Sequence, residues 1–259
     1  MIKKCWGHPL AQNINVDDAN VVAIHREIIN SKPLLRAVYL RWYREFLRAY
    51  EETEALDGEM LEIGCGASFL EEIIPRLVKT DVVATPCAQK VMNAMSLDLP
   101  DKSLRTIFMT HVLHHILYPA KFLSEAQRCL KPGGRLVMIE PSNNFLQRFL
   151  ARWTDHFEYF DDTVEEWANR SSERMTDANM ALPWVIFVRD QKRFQKEFPG
   201  LKIIGIRYHT YLSYFISGGV GYRSFLPAFL SPLVDLTEHL SKPFSNRLGT
   251  TMTIDIVKV

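Results

Sequence analysis

The sequence predicts an α/β fold built around a mostly parallel sheet. Three observations predict it. Short apolar runs alternate with amphipathic helical stretches from residue 60 to residue 140, the pattern of strands joined by helical crossovers. The first run, MLEIG (60–64), leads into a glycine turn that opens the next segment. The regularity then breaks after Glu140 and resumes near residue 189, so the core carries insertions rather than a second core.

Residues 17–30 and 34–50 read as helices; in the second, Leu35, Val38, Tyr39, Trp42 and Phe46 recur at helical spacing while Arg36, Arg41, Arg44 and Arg48 fall elsewhere. EETEALDGE (51–59) is a polar linker. FLEEII (69–74) reads as a two-turn helix stopped by Pro75, and LVKTD (77–81) as a second strand. TIFMT (106–110) is a third apolar run. PAKFLSEAQRCL (119–130) is an amphipathic helix ended by KPGG, and RLVMIE (135–140) is a buried-type strand. A helix at 189–198 and strands at 201–208 and 250–259 complete the set. This divides the chain into N-terminal helices (1–56) and one sheet domain (57–259), with insertions at about 141–188 and 209–248 expected to build a cap over the carboxyl ends of the strands.

The 259 residues carry a formal net charge of +1, with 47% hydrophobic and 24% charged residues. A near-neutral chain without a basic patch argues against nucleic acid as a partner. The four cysteines have no CxxC spacing, which points to reduced thiols and a cytoplasmic protein. The N-terminus lacks an apolar signal core, and no run of about 18 apolar residues could cross a membrane. The segment 209–236 carries only Arg223 and Asp235 as charges, so it reads as a buried cap, a subunit face or a contact with a membrane surface.

LEIGCGAS (61–68) is the centre of the chemistry. Gly64 and Gly66 allow a sharp turn and a close ligand approach at a strand end. Asp81 ends the next strand, where a carboxylate could accept from both hydroxyls of a ribose; a solvated turn aspartate is the plain alternative. A dinucleotide loop would require a glycine where Phe69 stands, which argues against NAD or FAD.

Glu62, Gly64 and Gly66 resemble the first motif of the class I S-adenosylmethionine (SAM)-dependent methyltransferases, with Ser68 in place of its third glycine. NAMSLDLPDKSLRTIFMTHVLHHI (93–116) and LKPGGRLVMIEP (130–141) resemble later motifs of the same family, in the same order. SKPLLRAVYLRWY, ALPWVIFVRD and YLSYFISGG resemble a bacterial, methyltransferase type 11-like subgroup. The resemblance implies a Rossmann-like, seven-stranded, mostly parallel sheet with SAM as cofactor. It implies that Asp81, rather than Thr85, holds the ribose, that Asn93, Ala94 and Met95 meet the adenine, and that the main chain near Thr110–His111 meets the methionine moiety. It also implies that the N-terminal helices close on the cofactor, with the Tyr43 hydroxyl near its methionine end.

Methyl transfer to a hydroxyl would gain from a general base. His156 in the first insertion is the first candidate, followed by Glu140, which could equally be a structural acceptor, and by His114 and His209. The cluster His111, His114, His115 has the look of a metal site, but the same pattern recurs in metal-free members of the family, and no metal is expected. The function so predicted is methylation, most simply O-methylation, of a small molecule or a glycan or lipid intermediate; the alternative is a non-catalytic SAM-fold binding module.

Overall fold

The computed structural model of the chain describes residues 6–12, 14, 18–153, 158–170 and 178–259, with side chains undescribed at 151–153. Seven strands form one sheet: β1 (Glu59–Glu62), β2 (Leu77–Asp81), β3 (Lys90–Val91), β4 (Leu104–Thr110), β5 (Leu130–Pro141), β6 (Leu201–His209) and β7 (Thr251–Lys258). Their order is β3-β2-β1-β4-β5-β7-β6. β1 to β5 pair in parallel, and β7 runs antiparallel between β5 and β6. The order reverses direction between β1 and β4, the switch point at which such sheets open a crevice beyond their carboxyl ends.

β4 and β5 are buried on both faces: Ile107, Phe108, Met109, Leu136, Val137, Met138 and Ile139 are fully enclosed, as expected of central strands covered on two sides. One cover comes from the N-terminus. Helix α1 (Val21–Ser31) and helix α2 (Pro33–Glu52) lie on the face carrying Met60, Phe108, Val137 and Ile139. Pro33 opens α2, where its missing N–H costs nothing. Leu35, Val38, Trp42, Tyr43 and Phe46 then bury one stripe. The opposite cover is made by α3 (Pro119–Cys129), the helical run 182–189 and α4 (Gln191–Glu197).

The structure corrects the expected two-turn helix at 69–74. Leu70–Glu72 forms a single 3₁₀ turn, because Pro75 and the short path from Gly66 to Leu77 leave no room for more. The sheet face that a crossover helix would cover is instead covered by α1 and α2. Arg36 and Arg26 place their guanidinium groups over the Phe69 ring, at 4.3 and 5.5 Å from its centroid. β3, only two residues long, is absent from the sequence-based expectation.

Candidate active site

β1 ends in Glu62, and the chain turns through Gly64 (φ +63°) and Gly66 (φ +45°). A Cβ at Gly64 would lie 2.7 Å from both Val112 methyl carbons, whereas a Cβ at Gly66 would meet nothing within 4 Å. Gly64 therefore packs the loop against the β4 exit, and Gly66 leaves its open side to the cavity beyond. Ser68 is not a failed glycine. Its Oγ accepts the Leu70 N–H at 3.0 Å and the Tyr43 hydroxyl lies 3.1 Å away, so it ties the loop to α2. The Asp81 carboxylate at the end of β2 accepts the Gly66 N–H at 3.0 Å.

Gly64, Gly66, Ser68, Tyr43 and Asp81 line a cavity of about 1090 Å³ above the carboxyl ends of the strands; Glu62, at the foot of the loop, is not in its wall. This is just above the roughly 300–1,000 Å³ typical of a single small-molecule pocket, which leaves room for a cofactor and a second molecule. Gly64, Gly66, Asp81, Asn93, Ala94, Met95, His111 and Tyr43 all contribute to its wall; Thr85 does not, and its hydroxyl instead accepts the Ala88 N–H. Asn93 is exposed, with its Oδ1 accepting the Met95 N–H at 2.9 Å. Both insertions reach the same cavity, the first through Gln147, Glu158 and Met180 and the second through Tyr211, Tyr214 and Phe225.

Glu62 is almost completely buried, and one of its carboxylate oxygens has no partner among the described residues. Burial pushes its pKa up to about 8, against the pull of Ser68 and Lys79. Thr110 Oγ1 and His111 Nε2 are likewise buried without partners among the described residues. His111 has a left-handed backbone (φ +55°), rare for a side chain of this size, that turns its N–H onto the Ile139 carbonyl at 2.7 Å. Its ring packs against Trp42, with centroids 4.9 Å apart. Burial lowers its pKa to about 4, so the imidazole is neutral at physiological pH.

Of the base candidates, His156 lies outside the described residues. Glu140 is fully buried and is not part of the cavity wall: Oε1 accepts the Val112 and Leu113 N–H groups at 2.9 and 2.7 Å, and Oε2 lies 2.5 Å from His114 Nδ1. It therefore fixes His114 rather than facing an acceptor, and it caps the turn after β4 rather than Asn143 or Asn144. Burial opposes charge on both partners. Their mutual attraction, to which Glu158 adds at His114, outweighs it, raising the His114 pKa to about 10 and holding Glu140 below the usual carboxylate range. His209 bonds to Thr210 and Thr253 beside β7 and is not in the cavity wall. Glu158, which no sequence motif marked, stands 3.4 Å from His115 Nε2.

The donor set suits a sulfonium cofactor bearing an ammonium and a ribose. Asp81 offers a carboxylate for vicinal hydroxyls, and Glu62 and Thr110 hold unpartnered oxygens at the ends of β1 and β4. A methyltransferase-domain family model matches residues 35–175, more than half of the chain.

The chain belongs to the class I SAM-dependent methyltransferases.

Similarity to curated members of this methyltransferase family is partial. A ubiquinone biosynthesis O-methyltransferase of Bradyrhizobium sp. is 30% identical over 137 residues, covering 45% of this chain and 54% of that protein. A demethylmenaquinone methyltransferase of Symbiobacterium thermophilum is 28% identical over 134 residues, covering 42% and 52%. The chain thus spans about half the length of the curated relatives it matches. A SAM-dependent methyltransferase from Archaeoglobus fulgidus shares the fold at a TM-score of 0.50 and 15% identity, over 85% of this chain and 94% of that one. The cofactor of this methyltransferase is SAM. Among the described residues no helix is long and apolar enough to cross a membrane.

Proposed function

We propose that this methyltransferase transfers the SAM methyl group to a hydroxyl oxygen of a small aromatic acceptor. The observation that carries the reading is the buried, unpartnered His111 Nε2 in the wall of a cavity lined by Trp42, Tyr211, Tyr214 and Phe225. Aromatic walls suit a planar ring, and an imidazole nitrogen without a partner suits the hydroxyl on it. Two relatives named for ubiquinone biosynthesis and demethylmenaquinone methylation support an acceptor of this class.

SAM supplies a methyl already activated by its sulfonium. Asp81 holds the ribose, and Asn93, Ala94 and Met95 flank the adenine. The Gly64–Gly66 loop and the Thr110 hydroxyl receive the methionine end, with Glu62 buried at the foot of that loop and Tyr43 and Ser68 bracing it from α2. The two insertions form the cap that excludes water. His111 Nε2 accepts the hydroxyl's hydrogen bond and takes its proton as the new O–C bond forms and the C–S bond breaks, its electron pair returning to sulfur. What the protein contributes is mostly alignment of oxygen, methyl and sulfur.

The test is incubation with methyl-labelled SAM and a panel of phenols, hydroquinones and amines. Label recovered as an aryl methyl ether, with His111→Ala slower by about 10²-fold or more, is the expected result. Label on nitrogen or carbon would replace the reading. SAM binding without transfer to any member of the panel would favour a non-catalytic binding module.

A further inference from the structure

We propose that His114, His115 and Glu158 form a site for a borderline divalent cation of the Zn²⁺ class, opening into the cavity beside His111. The sequence reading set the histidines aside as a metal-free pattern. Folding adds a carboxylate from the first insertion that sequence spacing could not reveal.

One donor atom from each of the three side chains lies within 4.8 Å of the others. Glu158 Oε1 stands 3.8 Å from His114 Nε2 and 3.4 Å from His115 Nε2. Ligands of one tetrahedral ion, each about 2.0–2.2 Å from it, are roughly 3.3 Å apart, so small side-chain rotations close the set. Two imidazoles and one carboxylate are a donor combination that catalytic zinc sites use, and three protein ligands leave at least one position open. All three residues line the cavity, so the open position faces the acceptor.

The layer behind the ligands is already built. Glu140 engages His114 through Nδ1, which leaves Nε2 as its donor to the cation; a carboxylate on the far nitrogen is the usual support of a metal-bound imidazole. Glu140 is itself fixed by two backbone N–H groups. Asn169 donates to the His114 and Ile116 carbonyls at 2.8 and 2.9 Å, holding the main chain of the histidine pair. With Glu158 the cluster holds two carboxylates, and a divalent cation at His114 Nε2 would take the place of the proton on that nitrogen, which leaves to solvent on binding.

This deepens the proposed O-methylation: a cation at that position would bind an acceptor oxygen and ease loss of its proton. The test does not depend on turnover. The full chain is stripped with a chelator, dialysed, and titrated with Zn²⁺ by calorimetry and with Co²⁺ by visible absorption. One equivalent per chain is expected, with ligand-field bands of a four- or five-coordinate Co²⁺ site. Glu158→Gln and His115→Ala should each weaken binding by about 10-fold or more, and Glu140→Gln by roughly 10- to 100-fold, in variants whose melting temperature confirms folding. Absence of stoichiometric uptake by the folded wild-type chain would overturn the proposal. So would unchanged affinity in folded Glu158→Gln and His115→Ala. SAM calorimetry on the same stripped protein reads the cofactor site separately, so the failure of one site leaves the other judged on its own.

Discussion

The Asp81 carboxylate accepts the Gly66 N–H at 3.0 Å, so the end of β2 and the glycine loop of β1 are one unit. A residue proposed to hold the ribose therefore also sets the loop that receives the rest of the cofactor. Asp81→Ala is expected to weaken SAM binding with the fold intact. Loss of charged hydrogen bonds costs roughly 1.5–3 kcal/mol, about 10- to 150-fold in affinity. Calorimetry checks this, and an unchanged dissociation constant would move the ribose contact elsewhere.

The two loop glycines should respond differently to alanine. At Gly64 the new Cβ would sit 2.7 Å from the Val112 methyl carbons as well as in a left-handed conformation; at Gly66 only the conformation is strained. Gly66→Ala should cost about 1–2 kcal/mol of stability, and Gly64→Ala distinctly more. Because Gly66 lines the cavity, its alanine should still impair SAM binding while melting nearer to wild type. Equal melting temperatures for the two variants would contradict this account.

Glu62 gives a pH dependence of defined sign. Its folded pKa is raised to about 8 by burial, above the roughly 4.3 of an unfolded glutamate. Between these values the unfolded chain has released a proton that the folded chain still holds, so stability falls as pH rises through that window. Glu62→Gln removes this loss. Its melting temperature relative to wild type should climb from about pH 4.5 to pH 8 and level off above. A difference independent of pH would mean that Glu62 is ionised in the folded chain.

Lys32, at the junction of α1 and α2, donates to the Gly219 and Tyr222 carbonyls at 2.6 and 2.8 Å from a buried position. It is a direct tie between the N-terminal helices and the second insertion. Lys32→Ala leaves those carbonyls unpaired at a cost of roughly 1–3 kcal/mol, with a fall of about 2–4 °C in melting temperature for each kcal/mol in a chain of this size. Limited proteolysis should then cut faster within 209–248. Unaltered cleavage would show that the insertion is held by other contacts, such as Glu238, which accepts the Tyr211, Leu212 and Ser213 N–H groups.

The sequence by itself determined six of the seven strands and the loop at the switch point. Alternating apolar runs specify strands whatever surrounds them, and the turn through Gly64 and Gly66 is a local requirement of backbone sterics, legible from residue type. Asp81 was legible for the same reason, as the last residue of a strand whose end is fixed by its own length. The crossover after β1 was not. FLEEII has helical composition, yet its helix is prevented by chain length and replaced by α1 and α2, a trade between segments far apart in sequence. For Glu140 the sequence left two roles open, base or structural acceptor, and could not name its partners; only the return of the chain after β4 brings the Val112 and Leu113 N–H groups and the His114 ring onto it. The meeting of Glu158 with His114 and His115 was decided by tertiary structure alone. These side chains share no periodicity, and their proximity follows from the first insertion folding back over the carboxyl end of β4, where Asn169 bonds the His114 and Ile116 carbonyls and Trp167 is buried.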